Sequence, residues 1–238
     1  MLRRWTISYA VLLLVTGLLG STSIYADTIA VIGTGDVAGA LGPEFAAQGH
    51  TIVYGSRNPS RDDVRALVAR TGNAASATTP AESVAGADIV VMAVPGTAVE
   101  AVTRSLGDLS GKIIIDPTNA IDRSDNGYLV LVYSTSTAEI IQGAAPGAHV
   151  VKAFNTLNWR TMVDPDSSGG PVSIPLVGDN AEAKARVAEL VEGMGLEAID
   201  LGPLHYARHV EGMLLVWIHN RYGGGDGPAF DYYLREIQ

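Results

Sequence analysis

The 238-residue chain contains no cysteine. That excludes disulfides, thiolate metal sites, a cysteine nucleophile and a lipid-anchoring cysteine, and it leaves the redox compartment open. Basic residues are scarce as well: 16 Lys and Arg stand against 25 Asp and Glu, and two of the sixteen, Arg3 and Arg4, fall within the first 26 residues. Beyond Ala26 the balance is 14 against 25, a formal charge of −11. Such a chain repels phosphate backbones, which argues against nucleic acid and anionic membrane surfaces as partners, and any anion it binds must meet a local cluster of donors. No apolar run reaches the roughly 18–20 residues that span a bilayer. Internal repeats are absent too.

The amino terminus has the tripartite order of a secretory signal: Arg3 and Arg4, an apolar run from Ile7 to Leu19, then the small-residue segment GSTSIYA. This predicts cleavage after Ala26, with residues 1–26 removed, and export, most simply to a periplasm. The alternative is an uncleaved anchor with the domain on the cytoplasmic side. Arg3-Arg4 suggests a twin-arginine route for folded, cofactor-loaded proteins, but Trp5-Thr6 lacks the paired apolar residues that usually follow.

With 47% hydrophobic and 17% charged residues, the remainder suffices for one large α/β domain with a small appendage. Short apolar runs alternate with amphipathic segments, the pattern of βαβ units on a parallel sheet. Strands are predicted at Thr28–Ile32, Thr51–Tyr54, Ala87–Val94, Lys112–Asp116, His149–Ala153, Val172–Val177 and Glu197–Asp200, with a weaker one near Ala74–Thr78. Helices are predicted at Val37–Gln48, Thr97–Leu106, Ser136–Gly143, Ala181–Met194 and Tyr206–Asn220. Asp166–Pro171 reads as a surface loop and Gly223–Pro228 as a flexible break.

Gly33-Thr34-Gly35-Asp36-Val37-Ala38 follows a strand and opens a helix, the context that gives a GxGxx(G/A) string its meaning. Gly33 allows the tight turn, Gly35 lets a pyrophosphate approach the backbone, and Ala38 with Gly39 keeps helix and sheet close. The helix amino terminus adds free N–H groups and partial positive charge. An NAD-preferring site places an acid at the end of the second strand, about 20 residues beyond the loop. Here that region reads Val53-Tyr54-Gly55-Ser56-Arg57, with no acid. Ser56 offers a hydroxyl, and Arg57, joined by Arg61, offers a charged fork for a 2′-phosphate, which favours NADP(H); a solvated surface pair of arginines is the alternative. The fold class expected is therefore α/β, a Rossmann-type, doubly wound, mostly parallel sheet with a small helical carboxyl-terminal extension. Residues 27–178 would form the nucleotide domain, and 179–238 would complete the acceptor pocket.

Seven segments in order, IGTGDVAGAL, YGSRNPS, DIVVMAVPGTAVE, GKIIIDPTNAI, VVKAFNTLN, GDNAEAKARVAEL and DLGPLHYARHVE, make the chain similar to a known family from about Thr28 to Trp217. It resembles the NADPH-dependent reductases of the deazaflavin coenzyme F420, whose nucleotide domain recurs in the STEAP metalloreductases. The resemblance implies that Thr34, Gly35, Asp36 and Val37 surround the pyrophosphate and Ser56, Arg57 and Arg61 the 2′-phosphate. Val94, Pro95 and Ala98 would flank the ribose and adenine side, and Asn119 would lie near the nicotinamide. Ala153-Phe154-Asn155-Thr156 would form the opposite wall, where the acceptor enters. Val94, Asn119 and Ala153 each sit at the carboxyl end of a predicted parallel strand, where open α/β sheets bind ligands.

Hydride transfer between ring systems needs alignment and exclusion of water more than acid–base groups, and no Ser-His-Asp arrangement or obvious catalytic lysine is present. Lys152 lies near the cleft within a buried-looking strand, where a structural role and a functional one are both open. His205 and His209, four apart at a helix start, suit a two-histidine metal site, a solvated helix end, or in the case of His205 a border of the acceptor pocket. Only 61 residues follow Val177, too few for the large helical domain that encloses small substrates in hydroxy-acid dehydrogenases and pyrroline-5-carboxylate reductases. The leading expectation is an NADPH-dependent reductase of F420, FMN, FAD or a related small-molecule acceptor, with a homodimer as a further expectation. A non-catalytic NADP(H)-binding or redox-sensing module and a small-molecule dehydrogenase remain as alternatives. A cytosolic family with an export signal sets a conflict, because a periplasm has no obvious NADPH supply.

Overall fold

The computed structural model describes residues 26–72, 75–222 and 227–237. All but Ala26 of the expected leader, and with it the signal and anchor readings, lies outside the described residues, as do 73–74 in the turn before the third strand and 223–226 in the glycine-rich break.

Strand β1 (Thr28–Ile32) feeds helix α1 (Asp36–Ala47), followed by β2 (Thr51–Gly55), α2 (Asp62–Thr71), β3 (Ala75–Thr78), the single turn α3 (Pro80–Ser83) and β4 (Ile89–Met92). A 3-10 turn at Gly96–Ala98 leads into α4 (Val99–Ser105), then β5 (Ile113–Asp116), a hairpin of β6 (Ile121–Arg123) and β7 (Leu129–Leu131), α5 (Thr137–Ala144) and β8 (His149–Lys152). The chain continues through α6 (Trp159–Val163), a 3-10 turn at Pro165–Ser168, β9 (Ser173–Gly178), α7 (Ala181–Glu192), β10 (Glu197–Asp200) and α8 (Ala207–Tyr222).

Eight strands form one sheet in the order β10-β9-β8-β5-β4-β1-β2-β3. All neighbouring pairs are parallel except β8 with β9. The chain leaves β1 for β2 and β3 on one side and returns through β4, β5 and β8 on the other. The order thus reverses between β1 and β4, which puts a crevice at the carboxyl ends of those strands. The antiparallel β9 arises because the segment after β8 crosses helix α1 through α6 and re-enters the sheet from that same end.

Alternation along the strands fills both faces. Ile29 and Val31 join Leu41, Phe45, Leu67, Val187 and Leu190 on one side, while Ala30 and Ile32 join Val99, Ile141, Leu204 and Val210 on the other. Each buried aliphatic side chain contributes about 1.5–3 kcal/mol, so a slip of one residue in β1 would exchange the two sets and is strongly disfavoured. Helix α5 starts where predicted because Ser136 and Glu139 form a capping box. Helix α2 and the β6–β7 hairpin were not foreseen. The first is a polar helix that buries only Val64 and Leu67, and the second is a three-residue ladder around Asn126-Gly127.

The expected loop at Asp166–Pro171 starts as the 3-10 turn at Pro165–Ser168. Past the glycine-rich break the chain lies across β9. The Ser173 amide donates to the Tyr232 carbonyl at 2.8 Å, the Tyr232 hydroxyl donates to the Met213 carbonyl at 2.8 Å, and the Trp217 indole donates to Asp231 at 3.0 Å. Among the described residues no helix is long and apolar enough to cross a membrane.

Candidate nucleotide and acceptor site

Ile32 ends β1 in the core, and the backbone then turns sharply: Gly33 has φ +110°, and a Cβ there would sit 2.1 Å from the Ala93 carbonyl oxygen. Only glycine suits this turn. Gly35 is the N-cap of α1, and among the described residues no side-chain hydrogen bond caps the helix. A Cβ on Gly35 would meet nothing within 4 Å. Thr34, Gly35, Asp36 and Val37 are thus partly or fully exposed around an open helix amino terminus whose first N–H groups lack intrahelical partners. The acidic Asp36 also lies in this first turn.

At the end of β2, Ser56 is buried and its hydroxyl accepts the Asn58 amide at 3.2 Å, while Arg57 is exposed and has no hydrogen-bond or ion-pair partner among the described residues. Arg61 is half-exposed. Its Nε donates to Asp63 Oδ1 at 2.5 Å, and its Nη2 reaches Thr34 Oγ1 at 3.3 Å. The Arg61 hydrogen bond holds the Asp63 carboxyl below its usual pKa and raises that of the guanidinium in turn. The side chain therefore links the loop after β2 to the glycine loop, and Ser56, Arg57 and Arg61 share one end of the crevice.

Beyond β4, Val94 is half-buried and Pro95 exposed, and the Ala98 amide donates to the Pro95 carbonyl at 2.8 Å to close the 3-10 turn. At the next two strand ends, Asn119 Nδ2 donates to the Asn155 carbonyl and Asn155 Nδ2 donates to Asn119 Oδ1, both at 3.1 Å. Asn155 Nδ2 also donates to the Val210 carbonyl at 3.1 Å, tying α8 to this pair. Both amide orientations are fixed by these bonds. Asn155 Oδ1, buried, has no donor among the described residues.

Between Ala153 and Asn155, Phe154 has φ +63°, the one positive value among the described non-glycine residues, and is 1% exposed against Phe45 with ring centroids 6.2 Å apart. A left-handed phenylalanine costs roughly 1–3 kcal/mol, and packing must hold it in place. Its effect is to turn the backbone so that Asn155 faces Asn119.

These observations test the fit of a dinucleotide. An uncapped helix end beside an open glycine, a serine and two arginines for a phosphate, and an unpaired carbonyl oxygen for a carboxamide N–H are the complements it needs. The residues present fit the group.

Among the described residues, no cluster of three or more His, Asp or Glu suited to a metal occurs around the two histidines or elsewhere. Both are exposed, and His209 with Leu201, Tyr206, Val210 and Met213 lines a shallow groove of about 290 Å³ on α8. His205 is not in that lining, although its ring packs edge-on against Tyr206 at 5.6 Å. Val210 connects the groove to Asn155.

The sequence reading missed the surroundings of Lys152. This lysine is fully buried between Asp116 and Glu211. One signal was available, since Glu211 interrupts the apolar stripe of α8 between Val210 and Leu214.

The family model described as "NADP oxidoreductase coenzyme F420-dependent" matches residues 28–120. The F420-dependent NADP reductase of Methanothermobacter thermautotrophicus is 30% identical over 198 residues, covering 77% of this chain and 84% of that protein. A solved structure provisionally described as an F420-dependent NADP reductase from Arthrobacter sp. FB24 is 34% identical with a TM-score of 0.78, covering 87% of this chain and 99% of that one. Metalloreductase STEAP3 of Rattus norvegicus is 30% identical over 191 residues, 80% of this chain, but the chain spans only 37% of its length. Sequence and fold agree in these matches, and the chain belongs to the F420-dependent NADP oxidoreductase family, whose members are NADP-dependent oxidoreductases.

Proposed function

We propose that the protein binds NADPH in the crevice between the glycine loop and the Asn119–Asn155 pair and passes a hydride to a flat ring acceptor, F420 first among deazaflavins and flavins. The observation that carries this reading is the position of Ser56, Arg57 and Arg61, with no acid, at the end of β2 opposite an open helix amino terminus. Family membership supports NADP chemistry, and the F420-dependent relatives support that acceptor ahead of FMN, FAD or a ferric chelate.

When bound, NADPH supplies two electrons and a proton together as a hydride, is left as a cationic ring, and the acceptor takes the hydride and a solvent proton where its own chemistry requires one. The protein's residues bind and orient. Thr34 to Val37 present backbone donors to the pyrophosphate, and Arg57 and Arg61 clamp the 2′-phosphate while Ser56 contributes its hydroxyl. Val94, Pro95 and Ala98 flank the ribose and adenine side. Asn119 and Asn155 hold the carboxamide end, with Asn155 Oδ1 as acceptor. Ala153 and Phe154, both buried, back the crevice on its apolar side and keep water from reaching it through the core. The groove on α8, open and shallow, suits the edge of a broad ring better than an enclosed small substrate.

Stopped-flow oxidation of NADPH with F420, FMN, FAD and ferric chelates in turn tests the reading. F420 should be reduced fastest. Tight NADPH binding with no acceptor reduced faster than in buffer would instead assign a non-catalytic NADP(H)-binding module.

Residues 1–26 support a second proposal, that the protein is exported and receives its nucleotide before or during export. Reporters fused after Ala26 and after Gln238 should read out beyond the inner membrane; a cytoplasmic readout would make the segment an anchor with the domain inside.

A further inference from the structure

The hydride transfer proposed above gives the buried Lys152 nothing to do. Its Nζ lies 2.9 Å from Asp116 Oδ2, 2.8 Å from Glu211 Oε1 and 2.7 Å from the Thr137 hydroxyl, and it also donates to the Thr118 carbonyl. Asp116 Oδ1 accepts the Thr118 amide at 2.9 Å and the Thr118 hydroxyl at 2.7 Å, and Glu211 Oε1 accepts the Thr137 amide at 2.8 Å. Lys152 and Asp116 are 0% exposed and Glu211 is 1% exposed. Two carboxylates thus surround one ammonium, a formal charge of −1 sealed from water.

A purely structural tie between α8 and the sheet would need one carboxylate. The Lys152–Glu211 pair already provides it, and a second buried carboxylate adds desolvation cost. Its surplus charge has no solvent around it to screen it, so its field reaches neighbouring groups. Those neighbours are the walls of the crevice. Asp116 ends β5 three residues before Asn119, Thr118 adjoins Asn119, and Lys152 directly precedes Ala153. Glu211 follows Val210, whose carbonyl is held by Asn155. The cluster therefore underlies both sides of the Asn119–Asn155 pair.

We propose that the Asp116–Lys152–Glu211 cluster electrostatically favours the oxidised, cationic nicotinamide over the neutral reduced one and so biases the site toward giving up a hydride. The inference rests on the reading that NADP(H) binds with its nicotinamide beside Asn119. Asp116 and Glu211 act through the field they place there and touch neither cofactor nor acceptor.

Dissociation constants of NADP+, NADPH and adenosine 2′,5′-bisphosphate, which lacks the nicotinamide, are to be measured by calorimetry. The proteins are the full chain and its Glu211→Gln, Glu211→Asp and Asp116→Asn variants. Glu211→Gln keeps the shape and removes the charge; Glu211→Asp keeps the charge and alters the shape. Glu211→Gln should weaken NADP+ relative to NADPH by roughly three- to tenfold, the scale of one buried unit charge acting on a nearby ring. Glu211→Asp should leave the ratio within about twofold, and the bisphosphate should bind every folded variant equally. Asp116→Asn carries the same expectation if Glu211→Gln does not fold. An unchanged ratio in whichever charge-removing variants fold, or an equal shift in Glu211→Asp, overturns the proposal. Failure of the unaltered chain to bind the bisphosphate overturns the underlying NADP(H) reading, a result distinct from either.

Discussion

Replacing Arg57 by alanine is the sharpest perturbation of cofactor choice. Arg57 is exposed and has no hydrogen-bond or ion-pair partner among the described residues, so its removal breaks no such bond and should leave stability nearly unchanged. In the proposed complex it gives a charge-assisted hydrogen bond to the 2′-phosphate. Such a bond at an exposed site falls at the low end of its range, so NADPH affinity should drop by roughly 10- to 30-fold. NADH has no 2′-phosphate, and its affinity should change by less than about twofold. Arg61 differs because its guanidinium is already shared with Asp63 and Thr34. Arg61→Ala should therefore cost less, about three- to fivefold. Fluorescence titration of NADPH and NADH against each variant gives the ratios, and raising the salt concentration should shrink them. Equal losses for NADPH and NADH in Arg57→Ala would refute the assignment of the 2′-phosphate site.

Three other outcomes follow from the same geometry. Gly35→Ala has room for its Cβ and an extended backbone that alanine tolerates, so it should cost at most about 1 kcal/mol of stability, yet it should abolish most NADP(H) binding; Gly33→Ala, strained and 2.1 Å from a carbonyl, should lose about 3 kcal/mol or more in chemical denaturation. Lys152→Met leaves Asp116 and Glu211 facing each other without a cation and should cost about 3–5 kcal/mol, seen as a lower denaturation midpoint. Burial holds the His50 imidazole below its ordinary pKa of 6.5, against the opposing field of Asp27, so the unfolded chain binds more protons between the two values. Stability should be complete above about pH 6.5 and fall as pH drops through the native value, and His50→Gln should flatten that slope in pH-dependent thermal melts.

The parallel sheet was legible because β1, β4 and β5 are near-continuous apolar runs, and the glycine turn because Gly33 and Gly35 lie between a strand and a helix. Ser56 and Arg57 could be placed because register after a short strand is nearly fixed. What stayed hidden depends on contacts between distant segments. Asn155 and Asn119 are 36 residues apart, and Glu211 and Thr137 are 74 apart, so neither pairing has a local pattern. The left-handed Phe154 was invisible for the same reason, since nothing in Ala153-Phe154-Asn155 marks a positive φ that only tertiary packing enforces. The antiparallel entry of β9 depends on the path over α1, and its apolar sequence suits either direction.

Transfer of deuterium tests the central claim most directly. The chain is supplied with NADPH carrying deuterium at the nicotinamide C4, in each stereoisomer separately, together with oxidised F420, whose reduced carbon keeps a transferred label out of exchange with water. Mass spectrometry of the reduced deazaflavin should find the label from one stereoisomer and not the other. Turnover that leaves both stereoisomers' deuterium in the nicotinamide or in solvent, or no reduction despite NADPH binding, would contradict it.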